Sequence, residues 1–139
     1  MIGVVVVTHG QLATELVNAA ETIVGDLPQF FAVSIGWHED VQDARAEIAA
    51  AIEKVKQPGG VLIATDMFGG TPSNLGITFL EQDKVEVVTG VNLPMLIKAA
   101  SLKDGASLTD VARMLREHGR NAIWVATDLL MSNEPEPKP

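Results

Sequence analysis

The stretch Ile2-Gly-Val-Val-Val-Val-Thr-His9-Gly10 decides the fold. From Ile2 to Val7 there is no polar face, only a continuous run rich in β-branched residues, which is the pattern of a parallel strand covered by helices on both sides. The run is far too short to span a membrane, and no Lys or Arg precedes it, so neither a transmembrane helix nor a signal peptide is expected. The cytoplasm is the expected compartment.

Working outward, apolar runs and amphipathic stretches alternate. Gln11 to Val24 places Leu12, Leu16, Val17, Ala20, Ile23 and Val24 on one helical face, and Gly25 closes it. Gln29 to Ile35 reads as a second strand, and Glu39 to Val55 as a helix with Val41, Ala44, Ile48, Ile52 and Val55 at helical spacing. Gly59-Gly60 introduces a third buried strand, Val61 to Thr65. A helix follows to about Glu81, with Thr71 as its expected N-cap and Pro72 at its first position. Val85 to Thr89 is the fourth strand, and an apolar helix runs from Pro94 to about Leu102. Ser107 and Asp110 open a further helix through His118, with Gly119 as its expected C′ residue. Ala122 to Ala126 reads as a last short strand, and the Glu/Pro-rich segment 131–139 as a flexible tail. The alternation predicts one domain, residues 1–130, built as a doubly wound, mostly parallel α/β sheet of about five strands. Ligands of such sheets sit beyond the carboxyl ends of the strands, near a topological switch point.

Composition narrows the chemistry. Hydrophobic residues make up 47% of the 139, enough for a sizeable core. A net charge of -8 and few aromatic rings argue against nucleic acid, whose phosphates need a basic footprint. With no cysteine, disulfides, zinc-thiolate sites and thiol nucleophiles are excluded. No His-Glu-x-x-His spacing suggests a metal, and no GxGxxG or Walker A sequence follows a strand, so no cofactor is expected.

The unusual residues stand at the strand ends. Thr8-His9-Gly10 puts an imidazole after the first strand, and Asp66 occupies the equivalent place after the third. If those strands are neighbours, as in a 2-1-3 order, His9 and Asp66 face each other across the switch point. A carboxylate accepting Nδ1–H leaves Nε2 with a lone pair for attack on phosphorus. The Gly69-Gly70-Thr71 turn supplies backbone N–H donors and a hydroxyl that can cradle a phosphoryl group without basic residues. Each part also has a plain structural reading: a strand-end His that only packs, an Asp that caps its loop, and a Gly-Gly-Thr-Pro helix start. Asn92 and Pro94 read as a turn and a first-turn proline. His38 falls in a loop, and His118 in the last turn of a helix, where its charge suits the dipole.

Three stretches together, Val7-Thr-His-Gly10, Asp66-Met-Phe-Gly-Gly-Thr-Pro-Ser-Asn74 and Gly90-Val-Asn-Leu-Pro-Met95, resemble the signatures of the mannose-family EIIA domain of the phosphoenolpyruvate-dependent sugar phosphotransferase system (PTS). The resemblance covers Met1 to about Leu130. It implies an open parallel sheet with a final antiparallel strand, often exchanged within a homodimer. It also implies that His9 accepts a phosphoryl group on Nε2 from HPr and passes it to an EIIB protein for sugar uptake, with Asp66 orienting the ring. By the same resemblance Gly69, Gly70 and Thr71 surround the phosphoryl group, and Thr8, Phe68, Asn92 and Pro94 line the site. No EIIB domain is expected within the 139 residues, and contact with the membrane is expected only through the EIIC and EIID transporter components. Two other readings are distinguishable: a stand-alone regulatory EIIA whose phosphorylation state controls a partner, and an unrelated α/β binding module with a structural His9.

Overall fold

The computed structural model describes residues 1–37 and 39–131; His38 and most of the tail, 132–139, lie outside them. Four parallel strands, β1 (Gly3–His9), β2 (Phe30–Ile35), β3 (Val61–Thr65) and β4 (Val85–Thr89), form one sheet in the order β2-β1-β3-β4. Helices α1 (Leu12–Val24), α2 (Val41–Val55), α3 (Thr71–Ile77), α4 (Leu93–Ala100), α5 (Leu108–Asn121) and α6 (Ala126–Met131) complete the chain. The chain leaves β1 for β2 on one side and returns to β3 on the other. That reversal opens a crevice between β1 and β3 at their carboxyl ends.

Alternation along β1 separates the two layers of core. Val4 and Val6 join Ala13, Val17, Leu96 and Leu115 on the face covered by α1, α4 and α5. Val5 and Val7 join Ala44, Ile48, Val55 and Leu75 under α2 and α3. All four valines are wholly buried, which explains why the run carries no polar alternation. Gly3 begins the strand because a Cβ there would lie 2.0 Å from the Val55 carbonyl oxygen, so only glycine lets α2 end against β1.

Four details differ from the sequence reading. The helix expected to reach about Glu81, α3, ends at Ile77. Gly70, not Thr71, caps α3, and Pro72 falls one position further in. The helix expected to stop at Gly119 runs on to Asn121. Gly119 serves packing instead: a Cβ there would meet Met95 Cε at 3.1 Å and Asn92 Oδ1 at 3.2 Å. The expected last strand, Ala122 to Ala126, is not formed, so the sheet has four strands among the described residues, and Ala126–Met131 is helical. A strand needs a neighbour to complete its hydrogen bonds. This segment leaves the body, with Ile123 75%, Val125 63% and Leu130 84% exposed. Its backbone takes local partners, as in the Leu129 N–H to Val125 carbonyl bond of 3.2 Å.

Candidate functional site

Register brings the site together. Val7 of β1 pairs with Thr65 of β3, so His9 and Asp66 emerge side by side where the two strands end. One carboxylate oxygen of Asp66, Oδ2, accepts the backbone N–H of His9 at 3.0 Å and meets His9 Nδ1 at 2.7 Å. The other, Oδ1, accepts the Met67 N–H at 2.9 Å. Burial pushes the Asp66 carboxyl up, but the His9 N–H, the His9 ring and the Met67 N–H outweigh it and hold the group below the usual carboxylate range. Asp66 is therefore ionised at neutral pH and can only accept, so Nδ1 carries the hydrogen. In the neutral ring the lone pair is then on Nε2, and the side chain is 52% exposed.

The floor of the site is tied to the sheet and to α1 by hydrogen bonds. Thr8 is wholly buried and does not face solvent; its hydroxyl accepts the Ala13 N–H at 2.6 Å and so anchors the start of α1. Gly10, at φ 55, turns the chain out of the strand, and its N–H is held by the Ile35 carbonyl at 2.9 Å. The opposite wall is the Asp66–Gly70 loop. Gly69 takes φ 89, and its N–H is committed to Ser73 Oγ at 2.9 Å. Gly70 is the N-cap and Thr71 the first residue of α3, so their backbone N–H groups lie ahead of the helix's own hydrogen-bond ladder. Met67 and Phe68 stand at the rim, 56% and 74% exposed.

Asn92 and Pro94 are used differently. Asn92 caps α4, its side-chain oxygen accepting the Met95 N–H at 3.1 Å, while its amide donates to the Gly119 carbonyl at 3.0 Å. Both ends of the side chain therefore tie α4 to α5. Pro94 lines a groove of about 630 Å³ with Val24, Leu27, Ile97 and His118, and that lining includes neither His9 nor Asp66. Ser73 is the residue that motif reading passed over. It is wholly buried, and its hydroxyl bridges Gly69 N–H and the Gly70 carbonyl. A serine at the third position of a helix that starts on a glycine turn is the available signal. Among the described residues no three His, Cys, Asp or Glu side chains converge as a metal site.

A doubly wound parallel sheet with an oriented imidazole at its switch point defines a class: an α/β protein that presents an exposed imidazole at the carboxyl ends of its strands. The family model described as PTS system fructose IIA component, EIIA-man, matches residues 3–116, and the chain belongs to that family. It is 28% identical over 131 residues to the PTS system fructose-specific EIIA component of Bacillus subtilis, covering 94% of this chain and 90% of that protein. It is 32% identical over 113 residues to the PTS system sorbose-specific EIIA component of Lacticaseibacillus casei, covering 81% of each. The crystal structure of phosphotransferase system component EIIA from Streptococcus agalactiae shares the fold, with a TM-score of 0.81 at 22% identity over 91% of this chain and 98% of that one. The protein is thus an EIIA component of a sugar phosphotransferase system, with a part in phosphoryl transfer. Among the described residues no helix is long and apolar enough to cross a membrane.

Proposed function

We propose that this protein carries a phosphoryl group on His9 Nε2, taking it from phosphorylated HPr and giving it to an EIIB protein that phosphorylates a sugar. The observation that carries the reading is the 2.7 Å contact between His9 Nδ1 and Asp66, which directs the basic nitrogen outward. In the transfer, the Nε2 lone pair attacks phosphorus and the Nε2–P bond forms. The bond from phosphorus to the donor breaks, and its electron pair stays with the donor. The proton stays on Nδ1, hydrogen-bonded to Asp66, whose negative charge balances the phosphorylated ring. The N–H groups of Gly70 and Thr71 offer donors to the phosphoryl oxygens.

No Lys or Arg pairs with Asp66 among the described residues. The chemistry favours this for a carrier, because a site that clamped phosphate with fixed cations would resist releasing it. The exposed apolar segment after α5 and the outer edge of β4, which beyond the Glu81–Val85 bridge has no strand partner among the described residues, support a homodimer in which the segment covers that edge. The cytoplasm, where the upstream phosphoryl donors work, is the compartment that fits.

The test is incubation with phosphoenolpyruvate, Enzyme I and HPr. The expected product is an acid-labile, base-stable adduct that is absent in His9→Ala. No adduct with active upstream proteins rejects the carrier reading, and an adduct that persists in His9→Ala moves the site elsewhere.

A further inference from the structure

Asp66 holds one nitrogen of His9, but a hydrogen bond at Nδ1 alone leaves the imidazole free to pivot about that contact. Its other edge rests on Gly70. A Cβ at Gly70 would lie 2.8 Å from His9 Cε1 and 3.3 Å from Nε2, so one of the two must move by about 0.6 Å to reach ordinary van der Waals separation.

The backbone at Gly70 does not itself require glycine. Its φ of -87 and ψ of 170 are extended values that any residue adopts. Gly69 beside it is the reverse case, with φ 89 and nothing within 4 Å of a built Cβ. Turn geometry therefore explains Gly69, and only the imidazole explains Gly70. The peptide on each side of this contact is pinned by one side chain. Ser73 Oγ accepts the Gly69 N–H at 2.9 Å and donates to the Gly70 carbonyl at 3.1 Å, in a position with no solvent exposure.

We propose that Gly70, clamped by Ser73, is a second positioning element for His9. Its bare Cα forms a wall against the Cε1–Nε2 edge of the ring. The wall keeps Nδ1 on Asp66 and Nε2 toward the mouth. Asp66 sets which nitrogen is free, and the Gly70 wall sets where that nitrogen points. The consequence for transfer rests on the carrier reading given above; the consequence for the ring does not.

The test is nitrogen-15 NMR of the histidine ring in the unphosphorylated protein, together with the rate of phosphorylation by phospho-HPr. The wild-type His9 ring is expected as a single Nδ1–H tautomer, the minor form of free histidine. Gly70→Ala is expected to mix in the Nε2–H form and to slow transfer on the order of 10²-fold, as an ångström-scale misplacement does. Ser73→Ala, which only removes an oxygen, is expected to shift the tautomer the same way with a transfer loss of about 10-fold, because the wall loosens rather than intrudes. Ile48→Val in the core serves as a destabilised control and leaves the ring signal unchanged. A wild-type tautomer and transfer rate in Gly70→Ala overturn the proposal. If Gly70→Ala does not fold, the same result in Ser73→Ala overturns it. A wild-type protein that phospho-HPr fails to label rejects the carrier reading instead, and the ring spectra still decide the positioning role.

Discussion

Replacing Asp66 separates the charge of its carboxylate from its geometry. Oδ2 accepts two hydrogen bonds from His9, and Oδ1 accepts one from Met67. In Asp66→Asn the amide can keep its oxygen on His9, satisfying the backbone N–H and Nδ1–H, and turn its NH₂ toward Met67. The cost falls on the Met67 N–H, which sits on an exposed residue and can bond to water instead. The opposite orientation would set the NH₂ against the His9 N–H and is worse. Asn therefore preserves the tautomer and removes only the charge, the difference between a charged and a neutral acceptor of about 1–1.5 kcal/mol, or roughly 10-fold in rate. Asp66→Ala loses the whole charge-assisted bond, about 1.5–3 kcal/mol, or roughly 10- to 150-fold. Rapid-quench measurement of phosphoryl transfer from phospho-HPr should rank wild type above Asn and Asn above Ala. Transfer at the wild-type rate in both folded variants would refute the reasoning and leave Asp66 a loop cap.

The same carboxylate makes a pH prediction. Its pKa is depressed in the folded protein, so its contribution to stability is complete above the unfolded value of about 3.9 and is lost as pH falls through the lower folded value. Asp66→Asn should flatten that acid limb of the stability curve and leave the limb above neutrality alone.

The remaining predictions concern packing and caps. Thr65 is wholly buried, and its hydroxyl has no partner among the described residues. Thr65→Val should therefore raise stability by about 1 kcal/mol, or roughly 3 °C in Tm, and a fall in Tm would show that the hydroxyl is satisfied. Asn92→Ala removes the α4 cap and the bond to Gly119 together, for an expected loss of about 2 kcal/mol in urea denaturation at unchanged m-value. A loss near zero would mean that α4 and α5 stay joined without it.

Much of this protein is legible along the chain. The unbroken apolar run before Thr8 could only be a strand covered on both faces, and the alternation of such runs with amphipathic helices left a parallel doubly wound sheet as the economical arrangement. Strand-end positions for His9 and Asp66 follow from the same pattern, because polar residues after a buried strand mark where it meets solvent. Local signals also held at Gly25, which ends α1, and at Ser107, whose hydroxyl accepts the Asp110 N–H at the start of α5. The segment after α5 carries strand propensity in its apolar, β-branched residues, but a strand exists only against a neighbour, and within the single chain the segment has none among the described residues. A glycine near a helix end, such as Gly119, looks the same in sequence whether it stops the helix or admits a neighbouring one.

By itself the sequence determined the class of fold, the burial of β1 on both faces, and the presence of an imidazole where helices begin and strands end. It named Asp66 as the carboxylate that imidazole would meet only on the condition that β1 and β3 are neighbours. His9 and Asp66 are 57 residues apart, and their 2.7 Å contact exists because β3 pairs with β1 in one particular register. It could not show that Gly70 abuts the ring while Gly69 merely turns the chain, since the two glycines are adjacent and identical. Those distinctions are made by distances between elements, and only the packed sheet and its loops set them.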